Sequence, residues 1–343
     1  MFVERSPFPP YHGPLRGANI GCADVPSSPR PPAPLSRARA RRSLRAGSPS
    51  PAHGRGGVYQ PAPPLPRGRG GRGVRGLLDG LRLYLILIQA QASAQARYRA
   101  SFLLQAFSQF AVTFSDLLTI ILLFQRFPSI AGWTMGEVAF LYGLGATAFG
   151  ISDLVCGGFD SLSKMIRLGT FDRVLTRPVG TFSQVLASDL QIRRIGRILQ
   201  GLTAFALALG WLQIGWTPDK ILVAIMALIS GVLIFSAIWV IGAAITFWTV
   251  ETSEVTNVFT YGGSELVSWP MPIYGDGLRR FFTFIVPLAF VTYLPALYIL
   301  NKPDPLGLPP VLQVCSPAVA VAFLLVARLC WGLGVRHYQG TGS

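Results

Sequence analysis

This chain of 343 residues contains little that could build a catalytic or metal site. It has three histidines and four cysteines, and no two cysteines form a CxxC pair, so neither a zinc site nor a disulfide framework is indicated. It also lacks a GxxxxGK[ST] loop for nucleotide phosphates, an HExxH helix and a GxSxG turn. We therefore expect no covalent chemistry, no metal site and no cofactor bound by the chain itself.

Charged residues are scarce as well, at 13% of the chain, whereas 51% of the residues are hydrophobic. Several apolar runs reach about 20 residues, the length that a helix needs to cross a hydrocarbon core of about 30 Å. These runs are continuous and rich in Leu, Ala, Ile and Phe, unlike the alternating strands of a membrane β-barrel. The sequence therefore predicts an all-α, polytopic membrane protein.

The net charge of +15 is concentrated in the first 100 residues, which hold 16 arginines and three acidic residues. Residues 1–76 are rich in Arg, Pro and Gly and have no periodic apolar face, so we predict a disordered basic leader. Its RGRGGRG tract at residues 67–73 is compatible with binding to RNA or to anionic lipid headgroups.

The leader has no apolar core of the kind that a secretory signal requires. No methionine lies between residues 1 and 135, so an alternative translation start near Val58 or Val74 is a further hypothesis.

Residues 77–98 have the pattern of an amphipathic helix that lies at the membrane interface. The apolar positions at helical spacing are Leu77, Leu78, Leu81, Leu85 and Ile88. We place a membrane domain at residues 77–343. Six transmembrane helices are predicted at 101–125, 137–157, 196–214, 221–248, 281–300 and 313–334.

Lysine and arginine are concentrated in alternate loops. The loop between the second and third spans and the segment before the fifth contain Lys164, Arg167, Arg173, Arg177, Arg193, Arg194, Arg197, Arg279 and Arg280. By the positive-inside rule these segments are cytoplasmic, and an even number of spans puts both termini there too. Trp133, Trp211 and Trp216 would then lie at the outer interface.

Polar residues inside the predicted spans are candidates for a translocation path or a subunit seam. Gln105, Gln109 and Asp116 lie on one face of the first span. A packing stripe between helices explains this face equally well. Asp153 and Arg328 either pair across the bundle or, alternatively, Arg328 extends alone to the lipid headgroups.

Small residues recur every four positions in the second span, at Ala139, Gly143 and Thr147. This spacing allows two helix backbones to approach closely and predicts helix packing.

Several short motifs follow one another in a fixed order. The loop after the second span reads LGTFDRVLTRPVG at 168–180, and WPMPIY at 269–274 is followed by LRR, TFIVP and YLPA. An FW pair ends the fourth span, and the chain finishes with YQGTGS. Together these motifs resemble the ABC type-2 transporter permeases, in particular an uncharacterised bacterial permease group, over the region from Leu77 to the C-terminus.

The resemblance implies that the chain is the membrane subunit of an ATP-driven transporter, paired with a second permease subunit. Separate cytoplasmic ATPase subunits would bind ATP and Mg. A short helix after the second span would contact the ATPase, and the implied coupling residues are Phe159, Leu162, Met165, Ile166, Gly169, Asp172, Arg177 and Pro178. The alternative is an ordinary basic connector.

Residues 251–280 form a second candidate site, a gate. The residues concerned are Glu251, Glu254, Glu265, Pro270 and Pro272. The two prolines exclude one continuous helix, so short helices or a partial re-entrant hairpin are expected, unless the segment is an ordinary connector.

The sequence therefore favours a multi-pass permease of the bacterial inner membrane that exports a lipid, a hydrophobic drug or a lipid-linked glycan. Membrane lipid is an expected partner and nucleic acid is not. Two alternatives are an ion-coupled secondary carrier dependent on Asp116 and a membrane scaffold whose basic leader recruits RNA or lipid.

Overall fold

A computed structural model of the chain describes residue 89 and residues 99–177, 180–189, 194–249, 253–304 and 307–339. The predicted leader and the predicted interfacial helix, apart from Gln89, lie outside these residues. Pro178 and Glu251 of the predicted sites also lie outside them.

The described residues fold into helices joined by short turns, as the all-α prediction required. The α-helices are α1 (Arg99–Arg126), α2 (Met135–Cys156), α3 (Leu162–Arg167), α4 (Phe171–Leu175), α5 (Thr181–Leu186), α6 (Ile195–Trp211), α7 (Pro218–Thr249), α8 (Ser253–Val267), α9 (Asp276–Phe284), α10 (Tyr293–Leu300) and α11 (Ser316–His337). Short 3₁₀ turns lie at Gly157–Ser161, Met271–Ile273, Leu288–Phe290 and Pro310–Gln313. The only β-type pairing among these residues is an isolated bridge between Ile130 and Trp133.

Four helices are long and apolar enough to cross a membrane, and they coincide with the predicted first, second, fourth and sixth spans: α1, α2, α7 and α11. The chain is therefore a multi-pass membrane protein. The predicted third span corresponds to α6, a shorter apolar helix of 17 residues. At 1.5 Å per residue it is about 26 Å long, slightly less than a hydrocarbon core.

The predicted fifth span at 281–300 corresponds to a bent pair of helices. The helical segments on either side of Val286 are bent by 74° relative to each other, so α9 turns away from α10. The chain at this break contains Pro287, which has no amide hydrogen to continue a helix. The short α10 instead begins beside the end of α8, because the Thr292 hydroxyl donates a hydrogen bond of 2.7 Å to the Val267 carbonyl.

The prolines of the predicted gate segment have the expected local effect. Helix α8 ends before Pro270, a 3₁₀ turn contains Pro272, and α9 begins only at Asp276. The segment therefore consists of short helices.

Contacts between distant segments define two opposite ends of the bundle. At one end, called the Tyr338 end, the Tyr338 hydroxyl donates a 2.9 Å hydrogen bond to Asp172 in the loop after α2. At the other, called the Lys302 end, the Lys302 ammonium lies 2.7 Å from Glu137 at the start of α2. Helices α2, α7 and α11 therefore all run towards the Tyr338 end, whereas α6 begins beside Asp153 near that end and runs away from it.

Glycine contacts allow α2 and α6 to pack against each other at close range. A Cβ atom built on Gly143 would lie 2.4 Å from the backbone nitrogen of Phe205, and one on Gly201 would lie 2.6 Å from that of Thr147. Real Cβ atoms do not come this close, so only glycine permits this approach. The predicted packing role of the small-residue stripe in the second span is confirmed at Gly143.

Lys302, in the loop after α10, binds to the loop between α1 and α2 at the Lys302 end of the bundle. Besides Glu137, its ammonium bonds to the Gly132 carbonyl at 2.7 Å and lies 4.6 Å from the centre of the Trp133 ring. Trp133 is buried, whereas Trp211 and Trp216 are exposed.

We expect Lys302→Met to destabilise the protein by about 1.5–3 kcal/mol, because it removes charge-assisted hydrogen bonds and leaves Glu137 largely buried without its cation. The measurement is the midpoint of unfolding in a detergent titration. Lys220→Met is the control, since Lys220 lies at the same end and makes no ion pair within the described ranges. Equal midpoints for the two variants would contradict this role of Lys302.

Candidate functional site

The loop between α2 and α6 folds back on the bundle as a 3₁₀ turn followed by α3, α4 and α5. Gly158 permits the fold, since a Cβ there would lie 2.1 Å from the Val185 carbonyl oxygen. Gly169 has a φ of 64°, a left-handed conformation that favours glycine, and it joins α3 to α4. The left-handed backbone conformation at residue 169 therefore explains why the LGTFDRVLTRPVG motif has a glycine there.

An aromatic clamp holds this loop against two long helices. Its members are Phe159, Phe171 and Phe182 from the loop, Phe247 from α7, and Trp331 and Tyr338 from the end of the chain. The centres of contacting rings are 4.9–6.0 Å apart, most of them edge to face, which is a favourable geometry for aromatic pairs. The loop therefore cannot move freely with respect to α7 and α11.

Tyr338 adds a polar contact to the clamp through its hydrogen bond to Asp172. Burial and the neighbouring carboxylate raise the pKa of the Tyr338 hydroxyl to about 12. The hydroxyl therefore stays protonated at neutral pH and continues to donate to Asp172.

The structure divides the predicted coupling residues between an inner and an outer surface. Phe159, Leu162 and Ile166 are buried in the chain's own core, and Met165 is partly buried against it. This apolar face thus points into the bundle rather than towards a partner. The outer surface of the loop consists of Lys164, Arg167, Leu168, Asp172, Arg173, Leu175 and Arg177.

A buried ion network connects the end of α2 to the start of α6. Arg194 lies 2.8 Å from a carboxylate oxygen of Asp153 and 3.1 Å from Asp160, and it also donates to the Asp153 backbone carbonyl. Arg197 approaches the other Asp153 oxygen at 3.6 Å. The partners of Asp153 are thus arginines of the third apolar helix, while Arg328 lies exposed on α11.

A polar cavity of about 220 Å³ lies within the bundle, between α1, α2, α6 and α8. Its lining includes two carboxylates and one guanidinium, together with polar and aromatic groups: Thr113, Asp116, Tyr142, Ala146, Phe149, Arg197, Gln200, Tyr261, Gly262, Ser264 and Glu265. Asp116 is ten residues from the end of α1, about 15 Å at 1.5 Å per residue, and so lies near the middle of the helix.

Hydrogen bonds fix one wall of the cavity. The side-chain amide of Gln200 donates to the Tyr142 hydroxyl at 2.8 Å, and that hydroxyl donates to the Thr113 carbonyl at 2.9 Å. Tyr142 and Gln200 are both buried. Gln200 and Tyr142 therefore connect α6, α2 and α1 through polar contacts.

Two aromatic rings contact Arg197, which precedes Gln200 by one turn of α6. Its guanidinium lies 4.9 Å from the centre of the Phe149 ring and 5.3 Å from that of Tyr261. Such cation–π contacts and the proximity of Asp153 compensate for the removal of this charge from water.

The remaining predicted residues are distributed between the cavity and the surface. Asp116 lines the cavity, Gln109 is half-buried and Gln105 is exposed, so one predicted stripe spans different environments. Of the predicted gate residues, Glu265 lines the cavity and Glu254 is exposed. Pro270 is buried in the turn after α8, and Pro272 is half-buried.

These features define the class of the protein: a multi-pass helical membrane protein with a polar cavity and a loop clamped at one end. The family described as ABC-2 family transporter protein matches residues 110–342. The chain therefore belongs to the ABC-2 transporter family, whose members are membrane permeases that generally work with an ABC ATPase subunit. Neither the curated proteins nor the solved structures gave a match to the chain.

Proposed function

We propose that the chain is the membrane permease of an ATP-driven exporter for an amphipathic substrate, and that the loop after α2 couples it to a separate ATPase. Two permease subunits would enclose the path, and two ATPase subunits would bind ATP and Mg beneath them. The six crossings of this proposal are α1, α2, α6, α7, the bent α9–α10 pair and α11.

The aromatic clamp is the observation that carries the coupling proposal. The outer surface of the loop offers charged side chains to a partner, while its inner rings contact Phe247 of α7 and Trp331 of α11. A displacement of the loop would thus be transmitted to two long helices, since packed cores transmit strain rather than absorb it.

Charge distribution supports placing the Tyr338 end in the cytoplasm. Lys164, Arg167, Arg173 and Arg177 lie on the loop at this end, and Arg336 lies near the end of α11. The opposite end has Arg126, Lys220 and Lys302, together with Arg279, which acts electrostatically on Tyr293 beside Trp133. By the positive-inside rule the protein would lie in a bacterial inner membrane with both termini in the cytoplasm.

The first test is a pull-down of the tagged full-length chain from its native cells in mild detergent. We expect a protein with a Walker nucleotide-binding loop to co-purify, and Arg177→Glu to abolish this association and ATP-dependent transport in vesicles. A reversed charge on an exposed contact disfavours binding by like-charge repulsion without disturbing the core.

Arg126→Glu is the matched control, because Arg126 is also exposed but lies at the far end of α1. Retention of the ATPase and of transport by this variant, with loss in Arg177→Glu, supports the proposal. Normal transport by Arg177→Glu would contradict the coupling role.

The alternative functions give different results in the same vesicles. An ion-coupled carrier would depend on Asp116 and on an ion gradient, and would not need an ATPase. A scaffold would lose its function with residues 1–73 and would transport nothing.

A further inference from the structure

The lining of the cavity contains two carboxylates and one guanidinium, so acidic groups outnumber basic ones. Arg194 pairs with Asp153 and Asp160. Arg197 lies 3.6 Å from Asp153 without a hydrogen bond from Nη1 among the described residues, and its charge also acts on Asp116 and Glu265. Two guanidinium groups therefore face four carboxylates in this region. Asp116 and Glu265 have no ion-pair partner within 4 Å among the residues that the structure describes. These two carboxylates therefore give the cavity a local negative charge.

A buried hydrogen-bond acceptor faces the same space. Gln200 is fully buried, and its amide nitrogen is committed to Tyr142. Its oxygen, Oε1, has no hydrogen-bond partner among the described residues, although the side chain lines the cavity. An unpaired buried acceptor costs about 1–3 kcal/mol, so a ligand that donates a hydrogen bond here would recover that free energy.

The size of the cavity limits what can enter it. Its 220 Å³ equals the liquid volume of about seven water molecules, at about 30 Å³ each. This space accommodates a small polar headgroup and excludes long hydrocarbon chains. The non-polar walls, Ala146 and the rings of Phe149 and Tyr261, favour a compact organic group over a hydrated ion.

We propose that the cavity binds the protonated primary amine of an amphipathic molecule. Asp116 and Glu265 would neutralise the ammonium charge, and Gln200 Oε1 would accept one of its N–H groups. Calling this molecule the transported substrate rests on the proposed function, whereas the binding chemistry does not.

The test is calorimetric titration of the full-length chain in phosphatidylcholine nanodiscs with dodecylamine, after subtraction of empty nanodiscs. We expect saturable binding that Asp116→Asn and Glu265→Gln each weaken about tenfold, which corresponds to about 1.4 kcal/mol for one charge-assisted contact. Dodecanol has the same chain without the charge and should show no saturable binding.

Glu254→Gln is the matched control, because Glu254 lies on the same helix as Glu265 but does not line the cavity. It should bind dodecylamine like the unaltered chain.

Gln200→Met should weaken dodecylamine binding and leave dodecyltrimethylammonium binding unchanged, since that cation has no N–H to donate. Size-exclusion profiles identify any variant that fails to fold. Glu265 is exposed, so Glu265→Gln tests the proposal without altering the core.

Equal affinities of Glu265→Gln and Glu254→Gln for dodecylamine would overturn the inference, and so would saturable binding of dodecanol equal to that of the amine. The measurement needs no ATPase. If dodecylamine binds but the pull-down recovers no ATPase, the proposed transporter is refuted and the amine site stands. If the pull-down recovers an ATPase but dodecylamine does not bind, the amine site is refuted and the proposed transporter stands.

Discussion

Arg194→Met is expected to reduce the free energy of unfolding by about 3–5 kcal/mol, the usual effect of breaking a buried ion pair. Its guanidinium is the central group of the network. The methionine would remove the cation closest to the buried Asp153 carboxylate, and the contact of Asp153 with Arg197 is longer, at 3.6 Å. The measurements are the folded fraction after detergent extraction and the midpoint of unfolding.

Arg173→Met is the control for this experiment, because Arg173 is an exposed arginine of the same loop region. It should unfold like the unaltered protein. Arg194→Lys should lose less than the methionine variant, since it keeps the charge but not the forked geometry. An unchanged midpoint for Arg194→Met would show that the network does not stabilise the junction of α2 and α6.

Gly143→Leu is expected to prevent normal packing of α2 on α6, with a loss of about 3 kcal/mol or more. The first added carbon would meet the backbone of Phe205, which no side-chain rotation can move. The helices must then separate, and thermal stability in detergent should fall sharply. Gly143→Ala should already destabilise, although alanine by itself favours a helix.

Gly210→Leu and Gly210→Ala provide the matched comparison in α6. A Cβ at Gly210 meets nothing within 4 Å, so helix propensity alone should act there. These variants should be as stable as the unaltered protein, or more stable by up to about 1 kcal/mol. A similar loss at both glycines would rule out close backbone packing as the reason for Gly143.

The sequence predicted features that depend on composition and on local periodicity. Long apolar runs located α1, α2, α7 and α11 to within a few residues, because a membrane leaves few other solutions for such segments. The prolines around residue 270 predicted short helices for the same local reason. The family resemblance stated from the loop motifs is confirmed.

Features that depend on contacts between distant segments could not be predicted in this way. The pairing of Asp153 with Arg194 joins residues 41 positions apart, and the available alternative, Arg328, was equally compatible with the sequence. The inward orientation of Phe159 and Ile166 depends on rings from α7 and α11. Gln200 is a polar residue in an apolar helix, and its contact with Tyr142 and its position in the cavity wall follow only from the fold.

The break in the helical path after α8 has an electrostatic consequence for the cavity beside it. A continuous span would place the partial negative charge of its final carbonyl groups at a membrane surface, where water screens it. Helix α8 instead ends at Val267, two residues after Glu265, so this end of its dipole lies inside the bundle and adjacent to the cavity. The break therefore adds the field of the backbone to that of the carboxylates, and a cation would be attracted by both.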